Sequence, residues 1–316
     1  AIATNRCSAL KANGLVTGTT TAEQAASAMD ALIAAGWQPE SNVLQASHYS
    51  FATLSVGLTY ANTYGRFSVK DNLCGYSFAA TGAAASATPN APVPASAAAL
   101  ATSFGTSNGV PPIGPVGLNI VNNSSVGGPL LDAASLSAGS VQDYNFAGAL
   151  CMRELFTGTS DNAVRVRQGM SEVVRSANLR GKPALIVQGR ADTLLPVAFT
   201  GRPYFGMNKI VEGASSKLSY IEVANAQHFD AFLAFPGYPE RMVPLHRYFT
   251  QAMDMMYANL KTGAALPASQ VVRTVPRGLT GTVANPITAA HVPPIKTVAD
   301  TADRITFANN VVTIAD

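Results

Sequence analysis

Gly189-Arg190-Ala191-Asp192-Thr193-Leu194-Leu195-Pro196, followed by Ala226-Gln227-His228-Phe229, carries the strongest clue to the architecture of this chain. Each half follows a strand-like run. Lys182-Pro183-Ala184-Leu185-Ile186-Val187-Gln188 is short and apolar and ends at Gly189. Lys217-Leu218-Ser219-Tyr220-Ile221-Glu222-Val223 alternates and breaks at Ala224-Asn225. A carboxylate after one strand and a histidine after the next is the second half of a Ser, Asp, His triad. In that chemistry the histidine takes the nucleophile's proton, and the aspartate fixes the ring's tautomer and stabilises the imidazolium. Each residue also has a plainer reading: Asp192 as a helix cap, His228 as a buried, satisfied side chain. Their joint spacing favours the catalytic pair. Asp230 is a rival acid, but lies too close in sequence to His228 to orient its ring easily. His48, His246 and His291 have no companion pattern; His246 reads as structural, and His48 falls in a region that could touch substrate.

The β-α-β-α order from Lys182 to Lys261 predicts a parallel, doubly wound sheet at that end. A helix starts near Pro196. The clearest one runs from Pro244 to Lys261, with Leu245, Tyr248, Phe249, Ala252, Met256 and Leu260 on one stripe and Gly263 at its end. Upstream, Thr20-Thr21-Ala22-Glu23 is a capping box for a helix closed by Gly36. Helical patterns also cover Ser47 to Tyr64, a stretch N-capped by Asp143 that runs to Thr157 and stops at Gly158, and Asn162 to Ala177. Between residues 65 and 142, Gly, Pro, Asn, Ser and Ala dominate with little periodicity. Recurring aromatic and branched residues make this an irregular cap layer, not a linker. After Ala264 the chain turns Pro- and Thr-rich, with short strands at Val271-Val272-Arg273-Thr274-Val275 and Val311-Val312-Thr313-Ile314.

Only two good parallel strands emerge. Residues 1–160 lack the buried Val/Ile/Leu runs that further strands of such a sheet require. The expected fold class is therefore α/β: the C-terminal part of an α/β-hydrolase-like parallel sheet, with a large irregular and helical cap insertion. The expected division is a cap over residues 1–160, the core carrying acid and base over 161–263, and an extended segment over 264–316 packing on that core.

A nucleophile is harder to place. Gly105-Thr106-Ser107-Asn108-Gly109 matches the G-x-S-x-G elbow letter for letter. Its flanks are wrong, since Ala98-Ala99-Leu100-Ala101-Thr102 is more helical than strand-like and Val110-Pro111-Pro112 cannot open a helix. Ser107 is thus the alternative nucleophile and more simply a loop residue.

Bulk properties exclude several classes. The 316 residues are 47% hydrophobic and 12% charged, with a net charge of +3, so the chain builds a core and is not disordered. Arg165, Arg167, Arg175 and Arg180 are spread along a helical pattern and read as solvated faces, which argues against nucleic acid or anionic lipid as partner. No run approaches the ~20 apolar residues of a membrane span. Ala1-Ile2-Ala3-Thr4-Asn5-Arg6 lacks the features of a signal peptide, so the chain reads as cytosolic, or as a mature or processed product. Cys7, Cys74 and Cys151 leave one thiol over if a disulfide forms, with pairing open, and none has metal-ligand spacing. No metal or cofactor is expected.

Longer strings carry a resemblance. Gly189 to Pro196, Lys217 to Val223, and Asn225-Ala226-Gln227-His228-Phe229-Asp230-Ala231-Phe232 resemble the D-(−)-3-hydroxybutyrate oligomer hydrolases. So do Tyr64-Gly65-Arg66-Phe67-Ser68-Val69, Asn72-Leu73-Cys74-Gly75-Tyr76-Ser77-Phe78 and Val271-Val272-Arg273-Thr274-Val275-Pro276-Arg277-Gly278. Members of that family are longer, and this chain resembles their C-terminal part. The resemblance implies an esterase that cleaves 3-hydroxybutyrate oligomers to monomers, in a secreted or periplasmic setting, with a cytoplasmic one as the alternative. It places acid and base at Asp192 and His228. It also implies that the nucleophilic serine and the oxyanion hole lie in an N-terminal portion, present as a separate chain. Tyr49, Phe51, Tyr60 and Tyr76 are candidates for shaping the groove of a polyester chain. Alternatives are an esterase of the tannase or feruloyl type, and a non-catalytic binding or assembly module that keeps a hydrolase remnant.

Overall fold

The computed structural model describes residues 1–45, 48–49, 52, 56–68, 71–81, 92–94, 117–122, 124, 135–137 and 140–315. It divides into two compact units, residues 1–31 with 53–174 and residues 32–52 with 175–316.

In the first unit, α1 spans Ile2–Ala12 and α2 spans Thr21–Ala34, the latter crossing into the second unit. The predicted capping box forms. Thr20 Oγ1 accepts the Glu23 N–H at 3.2 Å, and the Glu23 carboxylate accepts the Thr20 N–H at 3.0 Å. Helix α3 (Gly57–Gly65) leads to β1 (Tyr76–Thr81), β2 (Pro92–Pro94) and β3 (Gly117–Asn122). These make an antiparallel sheet in the order β2-β1-β3, where an irregular layer was expected. The strands are built from Ala, Ser, Thr, Asn and Pro as much as from branched residues, so no alternation announces them. Helices α4 (Phe146–Thr157) and α5 (Asp161–Glu172) complete the unit.

The cap of α4 is Asn145, whose Oδ1 accepts the Gly148 N–H at 3.2 Å. Asp143, predicted for that role, accepts the Phe146 N–H at 3.1 Å from two residues further back. Leu58, Ala61, Tyr76, Met152, Leu155 and Val166 form the core. Where α5 crosses α3, a methyl on Gly169 would overlap the Tyr64 carbonyl oxygen, so only glycine fits. Cys74 and Cys151 form a disulfide with Cα atoms 5.5 Å apart, and Cys7 is free and buried.

This packing moves the expected boundary. Helix α5 belongs with α3 and α4, so the first unit extends to residue 174 and not 160, while residues 32–52 join the second unit.

The second unit holds β4 (Ala184–Gly189), α6 (Gly201–Glu212), β5 (Leu218–Val223), α7 (His246–Thr262) and β6 (Gln270–Val272). The strands form one parallel sheet in the order β4-β5-β6. Alternate side chains separate onto two faces. Leu185, Val187, Ile221, Val223 and Val272 pack with Tyr248 of α7, whereas Ile186, Leu218, Tyr220 and Val271 pack with Phe205 of α6. Helices on both faces explain why β5 is buried along its whole length. The third parallel strand, β6, comes from the segment assigned above to an extended tail. It is too short to show a period and gains its place by pairing Ile221 to Val223 with Gln270 to Val272.

Two hairpins follow, β7 (Leu279–Thr280) with β8 (Val283–Ala284), and β9 (Thr306–Ala308) with β10 (Val311–Thr313). Asn309 and Asn310 turn the second with φ of 51° and 62°, as a two-residue hairpin turn of mirror-image type demands. Among the described residues no helix is long and apolar enough to cross a membrane.

Candidate active site

Parallel pairing brings the ends of β4 and β5 together, with Gly189 opposite Val223, so both loops leave the same end of the sheet. They are stitched to each other. Arg190 donates its N–H to the Val223 carbonyl at 2.8 Å, and Ala191 to the Ala226 carbonyl at 3.1 Å. A side chain on Gly189 would strike the Ala226 carbonyl, so glycine is required at this approach. Asn225 takes the left-handed conformation, φ 52°, that asparagine tolerates. Its Nδ2 donates to the Thr274 carbonyl and Oγ1, both at 3.1 Å.

These turns place His228 Nδ1 2.8 Å from Asp192 Oδ2. Asp192 is only 4% exposed, and its Oδ1 accepts the N–H groups of Leu194 at 2.9 Å and Leu195 at 2.8 Å. Asp192 thus closes its own turn, ahead of Val197–Phe199 and of α6 and capping neither, and its second oxygen meets the histidine ring. With Nδ1 facing a carboxylate, neutral His228 carries its proton there and leaves Nε2 as the acceptor. The hydrogen bond to Asp192 raises the His228 pKa above the ordinary histidine value; the aspartate's charge adds to this and partial burial opposes it. Gln227 was not singled out from the sequence. Its Oε1 accepts the Thr193 and His228 N–H groups, each at 3.2 Å, and its Nε2 donates to the Ala191 carbonyl. It ties the Asp192 loop to the His228 loop.

Behind the pair lies a buried charged network that sequence reasoning also missed. Glu222, fully buried on β5, accepts Arg190 Nε at 2.6 Å and Arg202 Nη2 at 2.6 Å. The Tyr220 hydroxyl donates to its other oxygen at 3.0 Å. Burial alone would raise the Glu222 carboxyl, but the hydrogen bonds and charges of Arg202 and Arg190 hold it below the usual range. Glu40 accepts the Asn225 N–H at 3.3 Å, and burial pushes its carboxyl up. Charged residues on a strand and in a remote loop carry no local signal of such a partnership.

The other candidates separate cleanly. Asp230 accepts the N–H groups of Leu245 at 2.7 Å and His246 at 3.0 Å, capping α7 instead of serving His228. His291 Nδ1 accepts the Thr288 N–H at 2.9 Å. His48, expected in the cap, lies in the unit of the pair, with Nδ1 against the Thr193 carbonyl and its ring edge-on to Trp37 at 5.2 Å. Tyr76 is no groove residue, for it is buried and its hydroxyl accepts Asn145 Nδ2 at 2.6 Å. Tyr60 is exposed and stacks on Tyr64, and Tyr49 is half-buried. Ser107 and Phe51 lie outside the described residues. The half-exposed Phe229 ring meets His228 edge-on at 4.4 Å. Among the described residues no three His, Cys, Asp or Glu side chains gather as metal ligands.

The family model described as 3HB-oligomer hydrolase (3HBOH) matches residues 1–316. A protein of Polaromonas naphthalenivorans named D-(−)-3-hydroxybutyrate oligomer hydrolase is 89% identical over 316 residues, which are 100% of this chain and 44% of that protein. Proteins of the same name from Albidiferax ferrireducens and Cupriavidus necator are 85% and 47% identical, over 100% and 99% of this chain and 45% and 43% of theirs. The chain thus spans less than half the length of these curated relatives. No solved structure matches it significantly. The chain belongs to the 3HB-oligomer hydrolase family.

Proposed function

We propose that this member of the 3HB-oligomer hydrolase family supplies the acid and base of a serine esterase that cleaves 3-hydroxybutyrate oligomers to monomers, and that the nucleophilic serine comes from polypeptide outside this chain. The observation that carries the reading is the 2.8 Å bond between His228 Nδ1 and Asp192 Oδ2. The substrate class rests on the names of the relatives, and the split on the 44% of their length that this chain spans.

In the proposed reaction neutral His228 Nε2 takes the serine hydroxyl proton as the serine oxygen attacks the ester carbonyl carbon. The tetrahedral intermediate collapses, the bond to the alcohol unit breaks, and Nε2–H delivers its proton to the departing 3-hydroxyl oxygen. Water then attacks the acyl-enzyme by the same route. The acid is released, and the proton returns through Nε2 to the serine. Asp192 stays ionised throughout and steadies the imidazolium. Phe229 offers an apolar wall beside the base for the aliphatic substrate.

The wider fold is proposed as the C-terminal part of an α/β-hydrolase, supported by the acid following β4 and the base following the adjacent parallel β5. A secreted or periplasmic setting is supported by the Cys74–Cys151 disulfide, because such bonds persist in oxidising compartments. Producing this chain together with the unmatched remainder of the Polaromonas naphthalenivorans relative tests the reading. The pair should hydrolyse a 3-hydroxybutyrate trimer, and His228→Ala should cut turnover by several orders of magnitude. Unchanged turnover in His228→Ala would contradict it.

A further inference from the structure

Among the described residues strand β4 borders its sheet, and its residues are mostly apolar. Ala184 donates its N–H to the Lys217 carbonyl and Arg190 to the Val223 carbonyl, both towards β5. In a parallel ladder alternate residues turn N–H and C=O to the same neighbour. Ala184, Ile186 and Gln188 therefore face β5, and Leu185 and Val187 turn both backbone groups outward. Among the described residues nothing pairs with them there. All of β5 is buried, whereas Ala184 to Gln188 are only half-buried. Open apolar edges are usually blunted by a lysine, a proline or a bulge; Lys182 and Pro183 precede this strand, and its own residues, Ala-Leu-Ile-Val-Gln-Gly, include neither.

A second observation comes from the helix packed on this strand. Helix α7 contacts β4. It buries Tyr248 and Ala252, yet on another stripe it exposes Phe249 (52%), Met253 (55%), Tyr257 (64%) and Leu260 (71%). Their i, i+4, i+8, i+11 spacing makes them one continuous apolar strip. An apolar strip of that kind marks a surface that something covers.

We propose that the outer edge of β4 receives a parallel β-strand from the remainder of this family's polypeptide, and that the same piece covers the α7 strip. The relatives are long enough to supply it, since this chain is 44% of the Polaromonas naphthalenivorans protein. A parallel strand added there ends at the side of the sheet where the Asp192 and His228 loops emerge, so the docked piece borders the catalytic pair. In this respect the inference rests on the function proposed above, and it names how the missing half attaches.

Amide hydrogen exchange reads the edge residue by residue. In this chain alone, the Leu185 and Val187 amides should exchange fast and those of Ile186 and Gln188 slowly. On co-production with the unmatched remainder of the Polaromonas naphthalenivorans relative, Leu185 and Val187 should slow by at least about 100-fold, as amides in a ladder do. Met253→Asp with Tyr257→Asp, both at exposed positions, should leave this chain folded and weaken the association at least about tenfold. The proposal is overturned if no complex forms, or if a complex forms while Leu185 and Val187 stay fast. It is equally overturned if the chain alone forms a dimer that protects them, since the edge would then belong to a second copy. Restored oligomer hydrolysis with an unprotected edge would sink this inference and leave the function standing. A protected edge without hydrolysis would do the reverse.

Discussion

Asp192 accepts three hydrogen bonds, and only one of them comes from His228. The other two, from Leu194 and Leu195, fix the carboxylate before the histidine arrives, which is what an orienting acid requires. Because the bond to Asp192 raises the His228 pKa, nuclear magnetic resonance should show the imidazole titrating above about 6.5, and Asp192→Asn should bring it down. The charged pair stabilises the fold fully below the unfolded value of about 6.5, and this contribution is lost as pH rises through the raised folded value. Catalysis runs the other way, since the base works only when neutral, so turnover should climb over that same interval. Glu222 makes a second prediction. Glu222→Ala strands Arg190 and Arg202, whose side chains are 12% and 21% exposed, and should cost about 3–5 kcal/mol in urea unfolding. Glu40→Gln should be nearly neutral, because an amide oxygen can still accept the Asn225 N–H and burial works against a charge at that position.

The elements show where sequence was enough. The capping box before α2, the glycine after α7 and the two runs that became β4 and β5 each follow from residues a few positions apart, and each formed. Pairings between distant segments were not legible. The strand β6 is placed by β5, and β1 with β3 joins Tyr76 to Asn122. The stripe drawn on α7 shows the same limit: Tyr248 and Ala252 are buried as expected, but Phe249 and Leu260 are exposed. Periodicity finds an apolar face without saying what covers it. Asp230, the rival acid, is a helix-capping residue, so Asp230→Ala should cost about 1 kcal/mol of stability and leave oligomer hydrolysis within a few-fold. Asp192→Ala should instead abolish most of the turnover, and the contrast between the two variants separates a cap from a catalytic acid.

Across the whole molecule, the candidate pair was legible because both residues follow strand-like runs, while its support was not. Trp37, Gln38, Glu40 and His48 lie far upstream, yet they fold with the unit that holds Asp192 and His228. The disulfide belongs to the other unit. Reducing Cys74–Cys151, which closes a separation of 77 residues, should lower that unit's stability by roughly 2–4 kcal/mol, visible as an earlier thermal transition with dithiothreitol. The proposed enzyme takes its acid and base from this chain and its nucleophile from other polypeptide. Labelling the co-produced pair with a fluorophosphonate probe, followed by denaturing separation and intact mass, tests it most directly. Label should fall on a serine of the other polypeptide, slowed severely by His228→Ala. Label on this chain, with Ser107 the first position to inspect, would contradict it.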